Sequence, residues 1–146
     1  MGRYKEAIFG LDKALSINPQ DWRGWYHCGT CLLKLQQYDQ AIASFDSALK
    51  FNSEFYEAWF NRGVAFKNLG RLEEAVLSYD RAVALQPDDH KAWNNRGGVL
   101  LNLGRYEDAI VCFDKVLSLH PEDDRARINL AKATRRLSQK TTISEM

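Results

Sequence analysis

Among the residues of this sequence that could do chemistry, a pair of cysteines has the most suggestive spacing. Cys28 and Cys31 have the Cys-x-x-Cys spacing of zinc sites and of thiol–disulfide exchange, and His27 precedes them. Zinc needs four ligands, and the chain has no second pair of ligands at a matching spacing. The apolar spacing around the two cysteines also indicates that both lie inside a helix. We therefore interpret them as structural residues and predict neither a metal nor another cofactor.

Other catalytic patterns are also missing. The three histidines are scattered without a partner for acid–base catalysis, and no phosphate-binding or dinucleotide-binding fingerprint occurs. The formal net charge of +1 gives no electrostatic reason to expect nucleic acid or a membrane as a partner. An odd number of cysteines without a signal peptide indicates reduced thiols. We predict a cytoplasmic protein that is not an enzyme.

The elements that must position these residues come from a repeat of 34 residues. Residues 56–89 and 90–123 are identical at fifteen positions, and residues 22–55 follow the same pattern more loosely. Within a unit, apolar and small residues recur at helical spacing in two stretches. Gly70 separates the two stretches and suits the end of a helix, while Glu73 and Glu74 suit the first turn of the next one. Each unit is therefore predicted to be a pair of helices.

The units resemble the tetratricopeptide repeat, whose signature places Trp, Gly, Ala, an aromatic residue and Pro at fixed positions over 34 residues. The matching residues are Trp25, Gly29, Ala41 and Phe45 in one unit, Trp59, Gly63, Ala75, Tyr79 and Pro87 in the next, and Trp93, Gly97, Ala109, Phe113 and Pro121 in the third. The resemblance implies an all-α fold, a right-handed α-solenoid of antiparallel helix pairs.

The resemblance also divides the chain. It implies an array over residues 2–137, followed by a polar tail at 138–146 that we expect to be loose. The parts of the array are a half repeat at 2–21, full repeats at 22–55, 56–89 and 90–123, and a capping helix at 124–137. Because the half repeat lacks its partner helix, its apolar residues Ile8 and Leu11 are expected to lie on an uncovered face. We interpret the chain as a piece of a longer protein.

The glycines inside the predicted helices need a physical explanation, and two turn positions depart from the signature. Glycine inside a helix costs about 1 kcal/mol relative to alanine, so Gly29 and its equivalents predict a close approach of the paired helix at Ala41, Ala75 and Ala109. Gln36 replaces the turn glycine and Ser53 replaces the proline, which predicts looser turns in the first full repeat.

The signature leucine is also replaced, by Cys28, Arg62 and Arg96. A guanidinium group at a packed position must either extend to solvent or find a carboxylate. We therefore predict that these two arginines pair with aspartates that recur on adjacent helices, namely Asp46, Asp80 or Asp114.

The resemblance further implies that the first helix of each repeat lines a concave groove. Two residues after each signature tryptophan stand His27, Asn61 and Asn95, and Asn129 is their equivalent in the last helix. Asparagine both donates and accepts hydrogen bonds, so this series is similar to the asparagine ladder of the O-linked N-acetylglucosamine transferase repeats, which could hold a peptide backbone. The alternative is that asparagine is only a tolerated polar residue on a solvated helix face.

The predicted peptide-binding residues share this inward register and are Tyr26, His27, Thr30, Phe60, Asn61, Val64, Lys67, Lys91, Asn94, Asn95, Arg125, Asn129 and Lys132. Their positive charge indicates an acidic or carboxylate-terminated peptide, or else only a solvated charged face. The family's carboxylate clamp for chaperone tails is matched only at Asn61 and Lys91. Tyr26, Thr30 and Asn95 occupy its other positions, so we do not predict such a clamp.

The function predicted from these features is a non-catalytic protein–protein interaction module that binds an extended peptide or a helix in its groove. Two alternatives remain open at this point. The chain could be the targeting or regulatory arm of a larger enzyme or signalling protein, or it could self-associate through its first helix. The expected partner is a protein or peptide, and neither nucleic acid nor a membrane is expected.

Overall fold

The computed structural model describes residues 1–144, and every regular element among them is an α-helix. The helices are α1 (Gly2–Ile17), α2 (Trp22–Lys34), α3 (Tyr38–Phe51), α4 (Tyr56–Asn68), α5 (Leu72–Leu85), α6 (His90–Asn102), α7 (Tyr106–Leu119) and α8 (Asp124–Ser144). We call α2, α4, α6 and α8 first helices and the others second helices, after their places in the repeat. The predicted all-helical fold of paired helices is confirmed. None of the described helices is both long and apolar enough to cross a membrane.

The helices group into two compact units, which we call unit 1 (Met1–Ser78) and unit 2 (from Tyr79 onward), with the boundary inside α5. In unit 1, α2 packs against both α1 and α3, and α3 packs against α4. Phe45 and Ala41 of α3 are fully buried in the core of this unit, together with Leu32 and Cys28 of α2. In unit 2, α7 packs against both α6 and α8.

The helical glycines mark the closest approach between paired helices. A Cβ atom added to Gly29 would lie 2.6 Å from Cε1 of Phe45, and one added to Gly97 would lie 2.8 Å from Cε1 of Phe113. The predicted close approach is therefore confirmed at both positions. The contacting atoms belong to a phenylalanine one helical turn after the predicted alanine, because the aromatic ring rather than the small side chain reaches across to the glycine.

The turn inside each repeat has one geometry whatever its residue. Gln36 adopts a φ of 59°, close to the 74° of Gly70 and the 73° of Gly104. Its amide donates to the Leu33 carbonyl at 3.0 Å, as the Gly70 amide donates to the Lys67 carbonyl at 3.0 Å. The expectation of a looser turn at Gln36 is therefore wrong. The backbone hydrogen bonds hold the turn, and glutamine bears the strain of the left-handed conformation.

The signature tryptophans tie three of the first helices, α2, α4 and α6, to the loops that precede them. In each case the indole N–H donates over 2.8 Å to a backbone carbonyl six residues earlier, and the pairs are Trp25 with Pro19, Trp59 with Ser53 and Trp93 with Pro87. The bond uses a carbonyl oxygen, which every residue has. Serine at 53 therefore replaces proline without losing this hydrogen bond. The looser turn that we expected at Ser53 does not break the bond.

The two ends of the described chain differ from the sequence prediction. Ile8 and Leu11 of α1 are partly buried against the core of unit 1, whereas Phe9 and Ile17 are 65% and 86% exposed. Helix α8 continues to Ser144, seven residues beyond the predicted end at 137, because residues 138–144 contain neither glycine nor proline to stop it. The rest of the predicted tail, 145–146, lies outside the described residues.

Candidate functional site

The predicted surface in unit 1 is built on two adjoining first helices, α2 and α4. Tyr26 of α2 packs its ring edge-on against Phe55, with 4.7 Å between ring centroids. Its hydroxyl oxygen accepts a hydrogen bond from the amide nitrogen of Asn61 in α4 at 3.3 Å. Burial and, secondarily, the charge of Glu57 raise the pKa of Tyr26, while the bond from Asn61 opposes the rise. Tyr26 is therefore a protonated hydroxyl group at neutral pH.

The other predicted residues of unit 1 are less directly connected. Thr30 donates its hydroxyl proton to the His27 carbonyl of the same helix at 2.8 Å, and the His27 side chain is exposed. Phe60 is half-buried, with its ring 5.9 Å from that of Tyr56. Val64 and Lys67 are also half-buried. The structure thus joins Tyr26 and Asn61 directly and keeps the Thr30 hydroxyl in a local helical bond.

In unit 2, one predicted binding residue also has a structural role. Asn94 of α6 donates to a carboxylate oxygen of Asp123 at 3.1 Å. The other carboxylate oxygen of Asp123 accepts from the Ala126 amide at 2.9 Å and so caps the start of α8. Asp123 was not predicted as a site residue. Its signal was available in the sequence, because it occupies the N-cap position before an expected helix.

The asparagine series does not repeat one set of contacts. Asn61 donates across to another helix, whereas the amide nitrogen of Asn95 donates to the Lys91 carbonyl of its own helix at 3.0 Å. Asn129 is half-buried on α8. One repeat after Tyr26 stands Phe60, which carries no hydroxyl group. The predicted cations of unit 2, which are Lys91, Arg125 and Lys132, are exposed.

The two arginines at the signature leucine position serve helix packing. Arg62 donates from Nε to Asp46 at 2.6 Å and from Nη1 to the Ser78 hydroxyl at 2.8 Å. In unit 2, Arg96 donates from Nε to Asp80 at 2.6 Å. The predicted pairing of both arginines with recurring aspartates is confirmed. These two cations are therefore already neutralised by neighbouring helices.

Arg96 has a second partner, which is a cysteine. Its Nη1 donates to Sγ of Cys112 at 3.0 Å, and Cys112 stands at the repeat position that Ser78 occupies for Arg62. Burial raises the pKa of Cys112, and the nearby Arg96 guanidinium opposes that rise only in part. The buried thiol therefore stays protonated at neutral pH and acts as a hydrogen-bond acceptor.

Among residues 1–144, the remaining thiols and imidazoles are not assembled into a metal site. Cys28 and Cys31 are free thiols whose pKa values are raised, chiefly by burial, which disfavours the nucleophilic thiolate. His90 and His120 have ring centroids 4.0 Å apart. In residues 1–144, however, no group of three or more His, Cys, Asp or Glu side chains is arranged to hold a metal ion.

Comparison with known families identifies the repeat. Three family models, each described as a tetratricopeptide repeat, match residues 11–43, 29–90 and 90–123, which together cover more than half of the chain. A search of curated proteins found no match to this sequence.

Solved structures share the fold. The "Crystal structure of MamA protein" superposes with a TM-score of 0.90 at 22% identity, covering 99% of this chain and 79% of that one. YrrB, described as "a TPR protein with an unusual peptide-binding site", has a TM-score of 0.83 at 24% identity, with 94% and 76% coverage. "First TPR of Spaghetti (RPAP3) bound to HSP90 peptide SRMEEVD" has a TM-score of 0.76 at 26% identity, with 82% and 94% coverage.

Proposed function

The chain belongs to the tetratricopeptide repeat family, and from that premise we propose that it is a non-catalytic module that binds an extended peptide or a helix through the first helices of its repeats. Proteins with this fold include YrrB and RPAP3, whose descriptions state a peptide-binding site and a bound peptide. The proposed contact residues are those of the predicted surface, and the strongest support comes from unit 1.

The observation that carries the proposal is the pair formed by Tyr26 and Asn61. The Tyr26 oxygen accepts from Asn61, while its own O–H donates to no side chain or backbone group within residues 1–144. The amide oxygen of Asn61 likewise accepts no hydrogen bond from this described part of the chain. A donor and an acceptor therefore lie side by side, on groups 3.3 Å apart. This arrangement matches the C=O and N–H groups of a peptide backbone, which occur in every sequence.

Single-atom and single-group changes test this pair. Peptides selected on an array with the wild-type chain would be measured by fluorescence anisotropy against Tyr26→Phe and Asn61→Ala. Each lost neutral hydrogen bond should cost about 1 kcal/mol, which weakens binding about fivefold. Gln40→Ala is the matched control, because Gln40 is an exposed amide on a second helix. Unchanged affinity in both variants, with circular dichroism showing intact helices, would rule out this pair as the binding contact.

The proposed asparagine ladder has its own test. The triple variant Asn61→Ala/Asn95→Ala/Asn129→Ala should bind the same peptides more weakly than Asn61→Ala alone. Equal affinities of the triple and the single variant would limit the contact to unit 1.

We propose an acidic peptide as the preferred ligand. The predicted surface includes three exposed cations of unit 2, which are Lys91, Arg125 and Lys132. Arg62 and Arg96, by contrast, already form internal ion pairs. The HSP90 peptide SRMEEVD in the RPAP3 complex also contains three acidic residues. Array enrichment for Asp and Glu, lost at high ionic strength, is the expected result. Equal recovery of basic and acidic peptides would contradict the preference.

Self-association is a second candidate function, favoured by exposed apolar residues on α1. Phe9 and Ile17 are 65% and 86% exposed, and burial against a second copy would remove this apolar surface from water. Sedimentation equilibrium of the wild type and of Phe9→Ser/Ile17→Ser distinguishes the two functions. A mass that rises with concentration only in the wild type supports self-association, and a monomer at every concentration excludes it.

A further inference from the structure

Unit 2 carries a shallow trough between the α6–α7 turn and the second half of α8. Two hollows lie there side by side, and Tyr106 and Arg136 line both of them. The apolar side chains in the trough include Leu103, Tyr106 and Ile143, and the cations along it are Lys132, Arg136 and Lys140. Ile143 is 74% exposed. The trough therefore combines accessible apolar surface with charge of a single sign.

The three cations form one stripe. Lys132, Arg136 and Lys140 follow one another at four-residue spacing, so they lie on the same face of α8. Like charges at this spacing repel one another and destabilise the isolated helix. Because repulsion among these three cations destabilises α8, a binding partner explains their arrangement better than helix stability does.

No described carboxylate neutralises this stripe. The arginines Arg71 and Arg105 form ion pairs with acidic residues three positions later, and Arg127 of α8 pairs with Asp124. No comparable ion pair involving Lys132, Arg136 or Lys140 occurs within residues 1–144. The structure thus leaves these cations available to an external anion, whereas five other arginines form internal ion pairs, namely Arg62, Arg71, Arg96, Arg105 and Arg127.

We propose that the trough binds an acidic amphipathic helix whose carboxylates repeat every four residues. Four residues of a helix rise about 6 Å, so such carboxylates have the same spacing as the cations of α8. Apolar residues beside the carboxylates would cover Leu103, Tyr106 and Ile143. This inference rests on the proposed function and extends it, because Lys132 also belongs to the proposed peptide-binding surface and both ligands are acidic, whereas Arg136, Lys140 and Ile143 lie outside that surface.

A labelled helical peptide of three Glu-Ala-Ala-Leu repeats is the probe. Its affinity for the full chain would be measured by fluorescence anisotropy, beside peptides with Lys in place of Glu or Ser in place of Leu. Arg136→Glu/Lys140→Glu should weaken binding about tenfold or more, because two attractive pairs become repulsive. Lys13→Glu/Lys50→Glu is the matched control, since it changes the net charge equally at exposed sites of α1 and α3.

The apolar contact has a separate test that does not alter charge. Ile143→Ser should weaken the Glu-Ala-Ala-Leu peptide about threefold, as expected for part of one buried apolar side chain. Leu77→Ser, at a residue 62% exposed on α5, should not change the affinity. Circular dichroism of each variant verifies that the helices are intact before binding is compared.

Several outcomes would overturn the proposal. These are no binding of the wild-type chain to the Glu-Ala-Ala-Leu peptide, equal weakening by the two charge-reversal variants, and equal binding of the Ser-substituted peptide. A single-stranded RNA oligonucleotide that binds at the same stripe and displaces the peptide would assign the trough to nucleic acid instead. Loss of binding in Tyr26→Phe but not in Arg136→Glu/Lys140→Glu would move the peptide to the first surface.

Discussion

Two adjacent glycines of α6 provide a sharp test of the packing described above. A Cβ atom at Gly97 would lie 2.8 Å and 2.9 Å from Cε1 and Cζ of Phe113, and 3.0 Å from the Cβ of Cys112. Carbon atoms in favourable contact are about 3.5 to 4.0 Å apart. Both contacted residues are fully buried, so neither has space to move away. At Gly98, by contrast, a Cβ would meet nothing within 4 Å.

The two alanine substitutions should therefore have opposite effects. Gly98→Ala should raise the free energy of unfolding by about 1 kcal/mol, which is the difference in helix propensity. Gly97→Ala gains the same propensity, but overpacking costs about 1 to 3 kcal/mol. Because three atoms of immobile side chains are involved, we expect about 3 kcal/mol and a net loss of about 2 kcal/mol. The two variants should then differ by about 3 kcal/mol.

Urea unfolding followed by far-ultraviolet circular dichroism measures this difference, provided that the variants show the same dependence on urea concentration. In a Phe113→Leu background, Gly97→Ala should cost less, because the ring that it would strike is gone. If Gly97→Ala proved as stable as Gly98→Ala, the close approach of α6 and α7 at this position would be refuted.

Three further predictions concern the turns and the buried thiol. Gln36→Gly should stabilise the chain by about 1 kcal/mol in urea unfolding, because it removes a left-handed glutamine, whereas Gly70→Ala should destabilise it by a similar amount. Cys112→Ser should change stability by less than about 0.5 kcal/mol, because a hydroxyl can accept from Arg96 as Ser78 does in the other unit; a clear loss would contradict this equivalence. Raising the pH above about 8.5 should lower the free energy of unfolding, since the unfolded thiol ionises while burial keeps folded Cys112 protonated. In Cys112→Ser, the free energy of unfolding measured in urea should depend less steeply on pH.

The arginine–aspartate ion pairs show which tertiary contacts a sequence pattern can predict. The recurrence of aspartate and arginine at a fixed separation predicted that Arg62 and Arg96 would find carboxylates on adjacent helices, and they do. A charged group at a packed position has few ways to be satisfied, so the prediction had few alternatives. The acceptor roles of Ser78 and Cys112 were not predicted, because serine and cysteine at buried positions are compatible with many partners.

The binding surface shows the opposite case. The repeat register identified Asn61 and Asn95 as equivalent, yet one bonds to another helix and the other to its own. Tyr26 supplies the hydroxyl acceptor of Asn61, and the equivalent residue of the next repeat is Phe60, which has no hydroxyl group. Contacts of this kind depend on the neighbouring repeat and on side-chain conformation, which a position within one repeat does not specify.

The sequence by itself determined that the chain is helical, that each repeat contains two helices, and that small residues lie where the helices of a repeat meet. It could do so because helical periodicity, glycine and proline act locally, within a few residues of the chain. Only the tertiary structure decided that a phenylalanine ring reaches Gly29 and Gly97, that Gln36 keeps the glycine-like turn, that Asn94 supports the cap of α8, and that the cations of α8 border a trough. Those outcomes depend on how side chains from distant parts of the chain fill shared space, and packing of that kind is a property of the assembled helices.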